Sequence, residues 1–105
     1  MAQFDVYENP SARQRDGFPY LVDIQSQLLA HLPTRLVMPL QRVSALPKSL
    51  PRRLSQTIII DGEALLLAPQ QCAALPASLL RKPIKTLASE AGVLRDALDA
   101  VISGV

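Results

Sequence analysis

The sequence predicts a mostly β, α+β fold in a single domain over residues 1–105. Three observations lead to this prediction. Hydrophobic residues make up 49% of the 105 residues, which is typical of a folded chain. Short apolar stretches separated by turn formers recur up to residue 83, and nine prolines work against long helices there. After residue 86 the apolar spacing becomes helical, so one helix should end the chain.

Five segments have strand patterns, because their apolar residues alternate with polar ones or form runs bounded by turn formers. They are residues 3–8, 20–25, 35–40, 56–60 and 64–68, with a weaker extended piece at 75–79. The first two should pair across an exposed, mobile loop at 9–17. The last two should form a tight hairpin around Asp61 and Gly62. Pro39 should place its strand at a sheet edge or end it, because proline has no N–H to donate.

The two remaining segments are predicted to be irregular and helical. Residues 41–55 should cross the surface as an irregular excursion. Thr86 or Ser89 is expected to cap the helix, and Gly104 is expected to end it. The predicted inner stripe consists of Leu87, Ala91, Leu94, Leu98 and Val101.

The chain shows no pattern typical of a catalytic or metal site. His31 is the only histidine and has no acidic neighbour in sequence, so a plain surface role is favoured. Cys72 is the only cysteine, and its apolar neighbours favour a buried, inert thiol. The four glycines are isolated and form no phosphate-binding loop. We therefore predict no catalytic residue, no metal and no cofactor.

Charge and cysteine content indicate a cytoplasmic protein that binds no membrane. The net charge of +2 is too weak to predict nucleic-acid binding, and the pairs at 52–53 and 81–82 are interpreted as solvated loop charges. A single cysteine fits a reducing compartment. The N-terminus has no secretion signal, and no apolar run approaches the roughly 20 residues of a bilayer span.

Several segments in order resemble the CcdB family of plasmid and chromosomal toxins. The resemblance covers nearly the whole chain, and its most specific part is Val-Asp-Ile-Gln-Ser followed by Arg-Leu-Val-Met-Pro-Leu. The matching segments are residues 3–7, 21–26, 35–40, 57–61, 75–76 and 104–105.

This resemblance implies an SH3-like antiparallel sheet with a small three-stranded sheet and a C-terminal helix, assembled as a homodimer. It also implies a non-enzymatic toxin of a type II toxin-antitoxin system, of the kind used in plasmid maintenance. Such a toxin binds the DNA gyrase A subunit and traps its cleaved-DNA complex as a topoisomerase poison. A CcdA-type antitoxin neutralises it, and the toxin-antitoxin complex represses transcription by contacting operator DNA through the antitoxin.

The resemblance also assigns site residues. Val101 falls near the dimer axis, and Ser103 stands where the best-known member has tryptophan, which removes an aromatic anchor. The implied gyrase contacts are Asp99, Ile102, Ser103, Gly104 and Val105, together with Leu28 and Leu29.

Two alternatives stay open. A chromosomal homologue that has lost its toxicity would keep antitoxin binding without gyrase trapping, and Ser103 favours it. A MazF/Kid-like endoribonuclease would share the fold, but its Gly-Asp and Gly-x-Glu…Arg-Pro motifs are absent from this sequence.

Overall fold

Short strands dominate the computed structural model, which describes residues 2–43 and 56–104. The strands are β1 (Asp5–Glu8), β2 (Tyr20–Asp23), β3 (Thr34–Arg42), β4 (Thr57–Ile60), β5 (Glu63–Leu67), β6 (Ala73–Pro76) and β7 (Lys85–Thr86). Within the described ranges, 3₁₀ turns include Gln27–Leu29, Pro69–Gln71, Ala77–Leu79 and Ala88–Glu90, and helix α1 covers Ala91–Ser103. The predicted mostly β chain with a C-terminal helix is confirmed.

All the strand pairs are antiparallel and form one curled sheet. The order is β4-β5-β3-β2-β1-β7, with β6 beside the first half of β3. The Lys85 Nζ of one outer strand lies 3.5 Å from the Ile59 carbonyl oxygen of the other, so the two edges approach each other. This curled α+β arrangement is consistent with an SH3-like half-barrel.

The hairpin predicted at the Asp-Gly step joins β4 to β5. Asp61 and Gly62 have φ values of 50° and 80°, and the pair Ile60 and Glu63 closes the turn. Positive φ at both central residues is the requirement of a type I′ turn, whose twist matches that of the strands.

The prediction that Pro39 marks an edge or a strand end is wrong. Pro39 lies inside β3, a central strand that pairs with β2 throughout its middle. On the other side, β6 pairs with residues 34–37 and β5 with residues 40–42, so Pro39 falls between the two partners. The missing N–H is tolerated because, on the side of β3 away from β2, neither β5 nor β6 is paired at that position.

The loop at residues 9–17 is exposed at its tip but built around a buried residue. Asn9 is buried, its Nδ2 donates to the Phe18 carbonyl at 2.9 Å, and its Oδ1 accepts from the Ser11 N–H at 2.9 Å. Arg15 Nε donates to the Asn9 carbonyl at 2.7 Å. The predicted excursion at 41–55 lies largely outside the described residues, although 41 and 42 continue β3.

The helix begins later than the sequence predicts, and its buried face agrees with the predicted stripe at Leu87, Ala91, Leu94 and Leu98 but not at Val101, which is exposed. Neither Ser89 nor Thr86 caps it; Thr86 Oγ1 instead accepts from the Ala88 N–H and starts the preceding turn. The helix buries Leu94, Ala97 and Ala100 against the sheet. Small residues decide this face because they allow the helix to approach the strands closely. No helix in the described part of the chain is long and apolar enough to cross a membrane.

The core lies between α1 and one face of the sheet. Its fully buried members come from four strands and the helix: Val6, Val22, Met38, Leu40, Leu65 and Leu94. The opposite face carries a smaller cluster of Tyr7, Leu21, Val37 and Leu80.

Candidate functional site

The end of α1 presents an apolar side chain to solvent beside a left-handed glycine. Ile102 is 83% exposed. Gly104 has φ 69°, and its N–H donates to the Ala100 carbonyl at 3.2 Å, which ends the helix as predicted. Exposed apolar residues at a chain end are candidates for contact with a partner.

At this helix end, the Ser103 side chain is hydrogen-bonded to the backbone of Asp99. Ser103 Oγ donates to the Asp99 carbonyl at 2.8 Å, so the hydroxyl satisfies a backbone group of its own helix. The side chain of Asp99 is exposed. Val101, the residue predicted near a dimer axis, is 41% exposed, so it lies outside the helix face that contacts the sheet. Val105 lies outside the described residues.

A second exposed apolar group lies on the 3₁₀ turn Gln27–Leu29 between β2 and β3. Leu28 is 86% exposed, and Leu29 is about half exposed. Ser26 caps the turn, because its Oγ accepts from the Leu28 N–H at 3.1 Å.

A buried polar network supports this turn. Gln25 Nε2 donates to the Leu29 carbonyl at 2.9 Å, and Gln25 Oε1 accepts from the Leu36 N–H at 2.8 Å. Asp23 Oδ1 accepts from the Gln25 N–H at 2.9 Å. A single glutamine therefore joins the turn to β3, and Asp23 holds the backbone of that glutamine.

Arg35 completes the network from β3. Its Nε donates to Asp23 Oδ2 at 2.8 Å, and both side chains are almost fully buried. Arg35 Nη2 lies 2.8 Å from the same oxygen but has no hydrogen-bond partner of good geometry in the described part of the chain. Burying such a pair is costly, so we expect it to affect local geometry more than stability.

The family resemblance implies Leu28 and Leu29 as contact residues but not the three residues that position them. A signal existed, since Asp23 and Gln25 are spaced two apart in an otherwise apolar strand and therefore share one face. Arg35 gave no such signal, because only the pairing of β2 with β3 brings it to Asp23.

The exposed apolar residues belong to two elements, the end of α1 and the 3₁₀ turn between β2 and β3. Of the predicted contact residues, Asp99, Ile102, Ser103 and Gly104 lie together at the helix end, and Leu28 and Leu29 lie on the turn.

In the described ranges, the remaining candidates, His31 and Cys72, are not part of a catalytic or metal-binding cluster. His31 is exposed. Cys72 is half-buried against the core, and burial raises the pKa of its thiol to about 11, so the nucleophilic thiolate is scarce at neutral pH. In the described ranges, no three His, Cys, Asp or Glu side chains are grouped so as to hold a metal ion.

Taken together, the curled antiparallel sheet, the terminal helix and the two exposed apolar groups define a small α+β protein suited to partner binding. Comparison with protein families then identifies the family: the model described as CcdB protein matches residues 3–104. The chain therefore belongs to the CcdB family and is a CcdB-type toxin. A search of curated proteins found no match.

Proposed function

We propose that this protein is a non-enzymatic, cytoplasmic toxin that binds the DNA gyrase A subunit and traps the gyrase-cleaved DNA complex. The supporting observation is the helix end, where Ile102 is 83% exposed although it is aliphatic. Membership of the CcdB family supports the same proposal. The gyrase contacts would be Asp99, Ile102, Ser103, Gly104 and Val105, with Leu28 and Leu29 from the turn.

The shape of the helix end explains how it would bind gyrase without catalysing a reaction. Gly104 adopts the left-handed conformation and ends the helix two residues after Ile102. An exposed isoleucine that enters an apolar pocket contributes through the area it removes from water, about 25 cal/mol per Å². The poison would act by stabilising one state of its target rather than by breaking a bond.

The partners follow from the same family. We propose a homodimer with Val101 near its axis, because this half-exposed valine faces away from the sheet contact of the helix. A CcdA-type antitoxin would neutralise the toxin, and operator DNA would be bound only through the toxin-antitoxin complex. The described residues carry no dense basic stripe that would bind DNA alone.

A second candidate function rests on Ser103. Its hydroxyl is bonded to the Asp99 carbonyl, so it offers neither an aromatic anchor nor a free donor to a partner. A homologue that binds antitoxin but no longer poisons gyrase would show this feature. The two candidates differ in one measurable property, the accumulation of cleaved DNA.

The test is a gyrase cleavage assay on supercoiled plasmid with ATP, ended with SDS and proteinase. We expect linear DNA with the wild-type protein and at least a tenfold loss of it with Ile102→Glu, because a carboxylate would be buried without a partner. Ile59→Glu is the matched control, since Ile59 is an exposed isoleucine on β4 outside the proposed contact.

The outcomes separate the candidates. Linear DNA that survives Ile59→Glu but not Ile102→Glu supports poisoning through the helix end. If the folded wild-type protein yields no linear DNA yet binds a CcdA-type antitoxin, the non-toxic homologue is correct. Digestion of labelled RNA would instead favour the endoribonuclease.

A further inference from the structure

The curled sheet has free edges, and two of them are shielded by proline. Among the described strands, β4, β6 and β7 each pair with a neighbour on one side only. β6 ends at Pro76, while β7 has only two residues and closely follows Pro83. Short strands and prolines hinder the addition of a further strand, because proline has no N–H to donate. β6 and β7 are therefore poor templates for strand pairing.

β4 lacks this protection. Its residues, Thr57–Ile60, contain no proline and no charge, and all of them are β-branched. Such residues favour extended pairing. Ile59 is 61% exposed although it is apolar. An uncharged, β-branched edge strand is the type at which proteins associate edge to edge unless another group covers it.

The register of the β4–β5 hairpin shows which backbone groups of β4 point away from the sheet. Ile60 closes the two-residue turn, so it exchanges hydrogen bonds with its partner on β5. Bonded and unbonded pairs alternate along an antiparallel ladder, so Thr57 and Ile59 direct their N–H and C=O groups outward. The Leu67 N–H, which donates to the Gln56 carbonyl at 3.0 Å, fits this alternation. A donor and an acceptor from each of the two outward residues are therefore presented at the free edge.

Lys85 of β7 reaches across to this edge. Its Nζ lies 3.5 Å from the Ile59 carbonyl oxygen, which is one of the outward acceptors. Within residues 2–43 and 56–104, no other hydrogen bond reaches the outward groups of Thr57 or Ile59. Lys85 also lines a cleft of about 350 Å³ between β4 and β7. The ammonium group thus places a positive charge beside the free edge, and a lysine in this position opposes strand pairing.

A second copy of the same strand fits this edge without a conflict of charge. In an antiparallel pair about a two-fold axis, Thr57 of one copy lies opposite Ile59 of the other, so each outward N–H meets an outward C=O. No charges oppose each other along the pair, because the strand carries none. The pairing needs the Ile59 carbonyl, however, and Lys85 occupies that group.

We propose that Lys85 guards the free edge of β4 and keeps it from pairing with the β4 strand of a second copy. The ammonium group binds the Ile59 carbonyl and places a charge where a second strand would lie, so association has to displace it. The contact involves none of the residues proposed for gyrase binding, so this inference does not depend on the proposed function.

The test is sedimentation velocity over a range of protein concentrations, which detects species larger than the wild-type assembly. Lys85→Met keeps the length of the side chain but removes its charge and donors, so the concentration at which such species form should fall by about tenfold or more. Lys85→Arg retains a charged donor and should behave like the wild-type protein. The matched control is Lys82→Met, which makes the same exchange at an exposed lysine outside β7 and should change that concentration by about twofold at most.

Hydrogen exchange identifies the surface that associates. The outward N–H groups of Thr57 and Ile59 should exchange about tenfold more slowly in associated Lys85→Met than in the wild-type protein, because they become bonded to a second strand. Lys85→Met/Ile59→Lys should return to the wild-type size, since the paired strands would then both carry a lysine. Lys85→Thr makes the same removal with a residue that favours strands, so a folding defect of Lys85→Met would not decide the result.

Three results would overturn the proposal. Folded Lys85→Met and Lys85→Thr proteins that form no species larger than the wild-type assembly would show that the edge needs no guard. Equal association of Lys82→Met would assign the effect to a general loss of charge. Larger species whose residues 57–60 exchange as fast as in the wild-type protein would assign the association to another surface.

Discussion

The two faces of the sheet are built from the same strands but contribute differently to the protein. The face under α1 buries aliphatic residues such as Val22, Met38 and Leu94, and its contacts are nearly all apolar. The opposite face buries Asp23 and Arg35 at the same depth. Apolar burial supplies stability at about 25 cal/mol per Å², whereas a buried ion pair roughly cancels its own desolvation. The first face holds the fold together, and the second fixes where the Leu28 turn lies.

The largest expected effect tests the ion pair on the second face. Arg35→Met leaves Asp23 charged, buried and unpaired, so the free energy of unfolding should fall by about 3–5 kcal/mol in urea denaturation. Asp23→Asn/Arg35→Met should recover most of this loss, because the amide still accepts from the Gln25 N–H and no charge remains.

A core variant is the matched comparison for this rescue. Leu94→Ala should cost about 2–5 kcal/mol by leaving a cavity, and no neutral partner substitution should restore it. If the Asp23→Asn/Arg35→Met protein is as unstable as Arg35→Met alone, the pair contributes to stability and the contrast between the faces is wrong.

A smaller, local effect is expected at the turn. Gln25→Leu removes the bonds to the Leu29 carbonyl and the Leu36 N–H, which should cost about 1–3 kcal/mol and speed amide exchange in residues 27–30. Hydrogen exchange measured by mass spectrometry checks this. The control is Gln70→Leu, at an exposed glutamine, and unchanged exchange in residues 27–30 of Gln25→Leu would contradict a positioning role.

The smallest expected effect concerns Cys72, which packs against the core on the face of the sheet under α1. Burial raises the pKa of Cys72 from 9.0 to about 11, so the folded state holds this proton more tightly than the unfolded state. Its stabilising contribution is complete below pH 9 and is lost as the pH rises toward 11, by about 1 kcal/mol at pH 10.

Denaturation at pH 7 and pH 10 measures this loss. Cys72→Ala should reduce the difference between the two pH values by about 1 kcal/mol, because it has no thiol to ionise. An unchanged difference would show that the thiol ionises as freely in the folded protein as in the unfolded one.

Some residues of the candidate site could be predicted from the sequence, and others could not. The resemblance to the CcdB family supplied the helix end and the Leu28 turn as contact residues. Spacing placed Asp23 and Gln25 on one face of a predicted strand, but nothing in the sequence indicated that Arg35 is buried, because its partner lies on another strand.

The sequence by itself determined the features that depend on a few neighbouring residues. The Asp61-Gly62 turn and the glycine at the helix end are of this kind, because each depends on local backbone preference. Tertiary structure alone decided that Pro39 lies in a central strand, that α1 buries Ala97 and Ala100, and that Arg35 is buried. These depend on strand order and on groups distant in the chain, which local pattern does not encode.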